Sequence, residues 1–117
     1  MAVKAVFAGV AVADLDSALD WYESLLGGPP EMAPNEAERA WRLTEEGWIY
    51  VVQDPEHAGN ALLTLMVDDL DARLAALAER GISAGGIEIH SATVRKVVVT
   101  DPEGNRIQLG EAISSAG

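Results

Sequence analysis

The hydrophobic pattern changes period twice in the same way along the chain. Val3 to Val12 is largely apolar with small residues and reads as a strand. Leu15, Leu19, Tyr22 and Leu26 then recur at helical spacing and mark the buried stripe of a helix. Asp14 or Asp16 can cap that helix, because a carboxylate accepts the free amide hydrogens of a first turn. Gly27-Gly28-Pro29-Pro30 stops it. A short strand is expected near Glu31 to Ala33. Glu38 to Thr44 and Trp48 to Gln53 flank Glu45-Glu46-Gly47 as a hairpin. Asp54 to Gly59 has linker composition. The order then recurs: a strand from Ala61 to Val67 and a helix from about Asp71 to Arg80, its stripe being Leu70, Leu74, Leu77 and Ala78. Strands follow at Ile87 to His90, Thr93 to Thr100 and Arg106 to Glu111. Between the last two, Asp101-Pro102-Glu103-Gly104-Asn105 has turn chemistry: proline presets one dihedral and Gly-Asn tolerates positive φ. Ser114 to Gly117 is expected to fray.

The recurrence holds residue by residue. Val12-Ala13-Asp14-Leu15-Asp16-Ser17-Ala18-Leu19 aligns with Val67-Asp68-Asp69-Leu70-Asp71-Ala72-Arg73-Leu74, offset by 55 residues, with five of eight positions identical. Both helices end against glycine, Leu26-Gly27 and Arg80-Gly81, where the left-handed conformation is cheapest. Repeats of this length bury their apolar faces on a partner unit. The fold class expected is α+β: two βαβββ modules, residues 1–54 and 60–113, in a single domain over 1–117. Each module should be a curved mixed sheet with its helix outside and its other face free to line a cavity.

Composition narrows the function classes. With 49% hydrophobic residues the chain is globular rather than disordered, and no apolar run reaches the roughly 18 residues of a membrane span. The start of the chain alternates and lacks a cleavage region, which argues for a strand rather than a signal peptide. The absence of cysteine excludes disulfides and thiolate metal sites and fits the cytoplasm. A net charge of −11 repels nucleic acid and anionic membranes. It favours a cationic ligand, or serves only solubility. There is no nucleophile motif, phosphate-cradling glycine loop or clustered acid pair.

The element order, with VADLDSALDWYESLLGG at the first helix and VTDPEGNRIQLGE at the end, resembles the vicinal oxygen chelate superfamily. That superfamily includes glyoxalase I, extradiol dioxygenases, fosfomycin-resistance enzymes and bleomycin-resistance proteins. The resemblance covers nearly the whole chain. It implies that metal-using members hold a divalent ion with His and Glu side chains from the inner sheet faces, leaving positions open for substrate oxygens. The matching positions here are Phe7, Leu62, Gln108 and, depending on register, Tyr50 or Val51. Phenylalanine and leucine have no lone pairs, and an amide oxygen is a poor substitute for a charged ligand. No metal, cofactor or catalytic residue is therefore expected.

Strand alternation sets Gly9 and Ala11 on the face of Phe7, Thr64 and Met66 on that of Leu62, and Arg106 and Gly110 on that of Gln108. Glycine and alanine there should leave open volume. Val10, Leu63, Leu65, Ile107 and Leu109 should meet the helices. If Trp48 and Tyr50 rather than Ile49 and Val51 face inward, they form an aromatic wall for a planar ligand. The ligand-binding set expected is Phe7, Trp41, Trp48, Tyr50, Leu62, Met66, His90 and Gln108. Trp21 reads as helix packing and His57 as a linker residue. The resemblance implies a metal-free binding protein that sequesters a hydrophobic or aromatic, antibiotic-like molecule in a cleft of a homodimer. In the bleomycin-resistance branch such dimers exchange modules. The alternatives are a superfamily enzyme (lyase, isomerase or dioxygenase) with a non-standard site, and an accessory domain with a protein partner.

Overall fold

The computed structural model describes residues 1–91 and 93–113, apart from the side chains of His90 and Ser91. The expectation for Ser114 to Gly117 lies outside the described residues. The first strand, β1 (Val6–Val12), is followed by α1 (Leu15–Leu26), β2 (Met32–Asn35), β3 (Glu38–Thr44) and β4 (Gly47–Gln53). The same series repeats as β5 (Leu62–Met66), α2 (Leu70–Glu79), β6 (Glu88–Ser91), β7 (Val94–Thr100) and β8 (Arg106–Ala112). The strands form two four-stranded sheets, ordered β1-β4-β3-β2 and β5-β8-β7-β6. In each, the first strand runs parallel to the last and the other pairings are antiparallel. A parallel pair needs a long crossover, which the helix and hairpin supply. The α+β fold of two βαβββ modules is thus the one the repeat predicts.

Differences at element ends have simple causes. The first strand begins at Val6 rather than Val3, because its partner begins at Gly47, which pairs with Val6. The stripe of α1 is Leu15, Ala18, Tyr22 and Leu25, with Leu19 and Leu26 only partly buried. On α2, Leu70 and Leu77 are buried and Leu74 partly so, but Ala78 is exposed. Ile82, just beyond the helix, is buried in the core. Asp14 caps α1, accepting from the Asp16 amide and the Ser17 hydroxyl. Asp69 caps α2 through the Ala72 amide. The helices terminate at Gly27 and Gly81, with φ of +88° and +84°.

Both helices lie on the same side of their sheets, and that side is sealed into one core. Val10, Val12, Ile49 and Val51 of the first sheet join Val97, Val99, Ile107 and Leu109 of the second in a single cluster with the helix stripes. Leu63 and Leu65 pack partly against it.

A buried polar knot ties the modules together within this core. The Tyr22 hydroxyl donates to Asp101 Oδ2 at 2.7 Å. Asp101 Oδ1 accepts from the amides of Glu103 and Asn105. The Asn105 amide donates to Asp101 Oδ2 and to the Ala11 carbonyl, and its Oδ1 accepts from the Ala61 amide. Glu103 accepts from the amides of Ala13 and Asp14, at the start of α1. The turn that sequence chemistry explains by positive φ has a second role: only Gly104 has positive φ, at +101°, while Asn105 is buried as a connector. Burial, reinforced by the adjacent Asp101 carboxylate, holds the Tyr22 phenol well above its ordinary pKa.

Each module also caps its helix from its own last strand. Leu15 N–H donates to Gln53 Oε1 at 3.0 Å, and Leu70 N–H to Glu111 Oε2 at 2.9 Å. Glu111 also accepts from Arg95. That hydrogen bond first, then the Leu70 amide, holds its carboxyl below the usual carboxylate range.

Tyr22→Phe removes a hydrogen bond to a buried carboxylate and is expected to cost about 1.5–3 kcal/mol in urea unfolding. Asn105→Ala leaves Ala61 N–H and Ala11 C=O without their side-chain partner and should cost more. Equal stability of Asn105→Ala and the parent would remove the knot from the account. A depressed carboxyl pKa stabilises the fold above its unfolded value and loses that contribution as pH falls through the folded value. Stability should therefore drop on acidification below the ordinary glutamate value of 4.5, and less steeply in Glu111→Gln. Parallel profiles for the two proteins would contradict this.

Candidate functional site

With one face of each sheet sealed under a helix, the other faces remain for a ligand. Paired residues on neighbouring strands share a face. In the first sheet the register sets Phe7 beside Trp48, Gly9 beside Tyr50 and Ala11 beside Val52. The rings of Phe7 and Trp48 stack, with centroids 5.5 Å apart and planes 15° from parallel. Tyr50 lies over Gly9, where an added Cβ would stand 2.6 Å from the ring and its hydroxyl. Glycine at that strand position is what lets the ring lie close to the backbone.

The second sheet repeats the device with different chemistry. Leu62 is beside Arg106, Thr64 beside Gln108 and Met66 beside Gly110. A Cβ on Gly110 would stand 2.7 Å from Met66 Sδ. The Thr64 hydroxyl donates to Gln108 Oε1 at 2.8 Å. The volume expected above the glycines is therefore filled, by Tyr50 in one module and Met66 in the other. An isolated glycine within a strand was the feature that could have announced this close approach.

Six of the eight residues expected at the site lie on these two inner faces: Phe7, Trp48 and Tyr50 on one, Leu62, Met66 and Gln108 on the other. Phe7 is 49% exposed, Leu62 53% and Met66 57%. Val6 and Ile89, on the opposite faces, are exposed to a similar degree. Trp41 is elsewhere. It is the register partner of Ile49 and so faces α1, 3% exposed, with its indole N–H donating to the Gly28 carbonyl at 2.9 Å. A tryptophan satisfied in this way is a core residue. His90 belongs to β6, and its side chain lies outside the described residues. Trp21 packs edge-on against Tyr22, and His57 pairs with Asp54 in the linker.

The four positions where the resemblance implies metal ligands are now identified as Phe7, Tyr50, Leu62 and Gln108. Two offer no lone pair, one is a phenol, and the amide oxygen of Gln108 already accepts from Thr64. That donor set does not fit a divalent cation. Among the described residues no group of three or more His, Cys, Asp or Glu could hold an ion.

A crevice of about 530 Å³ runs between the modules. Its walls are mostly helix-side residues, among them Leu25, Leu63, Leu65 and Leu77, and it reaches Trp48, Thr64 and Met66. Free edges of both sheets, β1 and β5, border it. It is a gap in inter-module packing that opens toward the inner faces.

Comparison with known proteins agrees with this architecture. The model of the glyoxalase-like domain matches residues 6–110. A glyoxalase / bleomycin resistance protein from Catenulispora acidiphila DSM 44928 is 49% identical, with 93% of this chain and 98% of that one covered and a TM-score of 0.87. TnmS3, an antibiotic binding protein from Streptomyces sp. CB03234, is 28% identical, with 96% and 98% covered and a TM-score of 0.78. A glyoxalase/bleomycin resistance protein from the same Streptomyces strain is 26% identical, with 90% and 97% covered and a TM-score of 0.71. No curated protein matches. Among the described residues no helix is long and apolar enough to cross a membrane.

Gly9→Ala should keep the fold but push the Tyr50 ring off the sheet, since the contact is with the far end of a side chain. The chain has two tyrosines, so their ring resonances are readily assigned. A shift confined to Tyr50 is expected; an unmoved Tyr50 would refute the seat.

Proposed function

The chain belongs to the glyoxalase-like domain family, and from that premise we propose that it is a metal-free binding protein for a hydrophobic, aromatic, antibiotic-like small molecule. The observation that carries the reading is the Phe7–Trp48 stack with Tyr50 beside it, with Phe7 and Tyr50 at positions where the family resemblance implies His or Glu ligands in metal-using members. A stacked aromatic pair of which Phe7 is exposed and Trp48 partly buried gains by covering its free surface with another planar ring. The similarity to an antibiotic binding protein supports the same class of ligand.

A single inner face is one wall, and a cleft needs two. The protein acts as a homodimer in which the aromatic wall of one subunit stands opposite Leu62, Met66 and Gln108 of another. The exposure of those apolar residues in the single chain supports this. The protein works in the cytoplasm, in keeping with its lack of cysteine, and confers resistance by holding the drug without chemistry.

Titration with planar aromatic antibiotics should quench tryptophan fluorescence saturably, and Trp48→Ala should weaken binding at least tenfold, about 1.4 kcal/mol. Absence of saturable binding across a natural-product panel would sink the reading. So would stoichiometric Zn, Ni, Mn or Fe with metal-dependent turnover. Light scattering should report a dimer; a ligand-competent monomer would overturn the interface cleft.

A further inference from the structure

We infer that the inner-face site selects an aromatic ligand bearing a negative charge, such as an aryl carboxylate; this rests on the binding role proposed above. The net charge of −11 suggests the reverse, a preference for cations. The distribution of charge decides otherwise. The inner faces hold three of the eight bases: Arg42 beside Trp48, Lys96 beside Gly110 and Arg106 beside Leu62. Of the nineteen acids, only Glu38 and Glu88 occupy strand positions on those faces. The excess acid is on the helix side, in the loops and in the hairpin turn.

Pairing differs within each group. Away from the inner faces, Arg73 is held by Asp68 at 2.7 Å, and Arg95 by Glu111 and by Asp71 at 3.6 Å, while Lys4, Arg39 and Arg80 form no ion pair among the described residues. On the inner faces, Lys96 and Arg106 have no ion pair or side-chain hydrogen bond among the described residues. Lys96 is the register partner of Glu88 and still forms no ion pair with it. The Arg42 guanidinium donates to the Glu45 carbonyl, a neutral acceptor, while the Arg42 backbone amide donates to the Glu31 carboxylate.

Gln108 adds to the set. It stands two residues along β8 from Arg106, about 7 Å away on the same face. Its Oε1 accepts from Thr64, which orients the amide, and its N–H end can donate to a ligand. Guanidinium, amide N–H and ammonium thus form a row of donors across the second sheet, opposite in character to the aromatic wall of the first. Salt screens the global field over about 8 Å, so at contact distance these near donors outweigh the remote acids. Guanidinium and carboxylate match in charge and geometry.

Three probes with one aromatic body test this by calorimetry at pH 7 and about 0.15 M salt: 2-naphthoate, 2-naphthalenemethanol and protonated 2-naphthylmethylamine. The naphthoate should bind at least tenfold more tightly than the alcohol, with the ammonium weakest, and the ratio should shrink at 0.5 M salt. In a Lys96→Gln/Arg106→Gln double variant, shown folded by near-ultraviolet circular dichroism, the naphthoate-to-alcohol ratio should fall toward one. Equal or tighter binding of the ammonium, or an unchanged ratio in the double variant, overturns the charge preference while the aromatic site stands. Failure of all three probes to bind overturns the proposed binding role, and the charge preference with it.

Discussion

Everything functional in this structure depends on the buried knot of Tyr22, Asp101 and Asn105. A carboxylate in a core is costly unless its oxygens are filled. Here the Tyr22 hydroxyl, the Asn105 side chain and two backbone amides fill them. Each partner comes from a place that must be held: Tyr22 from the first helix, Asn105 from the last turn, and through it the carbonyl of Ala11 and the amide of Ala61. The knot therefore sets the two modules against each other by their helix-covered sides. The inner faces are left outward as a direct result.

From there, the period of two along a strand does the rest. Once Val10, Val12, Ile49 and Val51 are committed to the core, Phe7, Gly9, Trp48 and Tyr50 have no choice of side. The same holds for Ile107 and Leu109 against Gln108 and Gly110. Both modules then use glycine to let a large neighbour lie on the strand, Tyr50 in one and Met66 in the other. The device is the same in both modules while its chemistry differs, aromatic in one and aliphatic and polar in the other. Two unlike walls suit a ligand with an aromatic body and a polar end better than two like ones would.

Charge follows the same division. The acids that dominate the composition cap helices, hold arginines or face solvent. Among the described residues the side chains of the inner-face bases Arg42, Lys96 and Arg106 form no ion pair. A net charge is a sum over the surface, and a ligand meets only the part of it within a few ångströms.

How much was legible beforehand follows from the range of each interaction. The repeat of Asp14-Leu15-Asp16 in Asp69-Leu70-Asp71, the capping glycines and the alternation of the strands are local, so they established two βαβββ modules and which residues share a face with Phe7, Leu62 and Gln108. The absence of metal ligands could likewise be read directly, because it is a matter of residue type. Trp41 could not be placed, since its side depends on the register of β3 against β4, which no local pattern states. Nor could the second role of Asn105, whose partners lie 94 and 44 residues away. Which side of each sheet became core, and which bases were left unpaired, were decided only when distant strands and helices closed on one another, because burial and pairing are properties of the assembled surface and not of any segment.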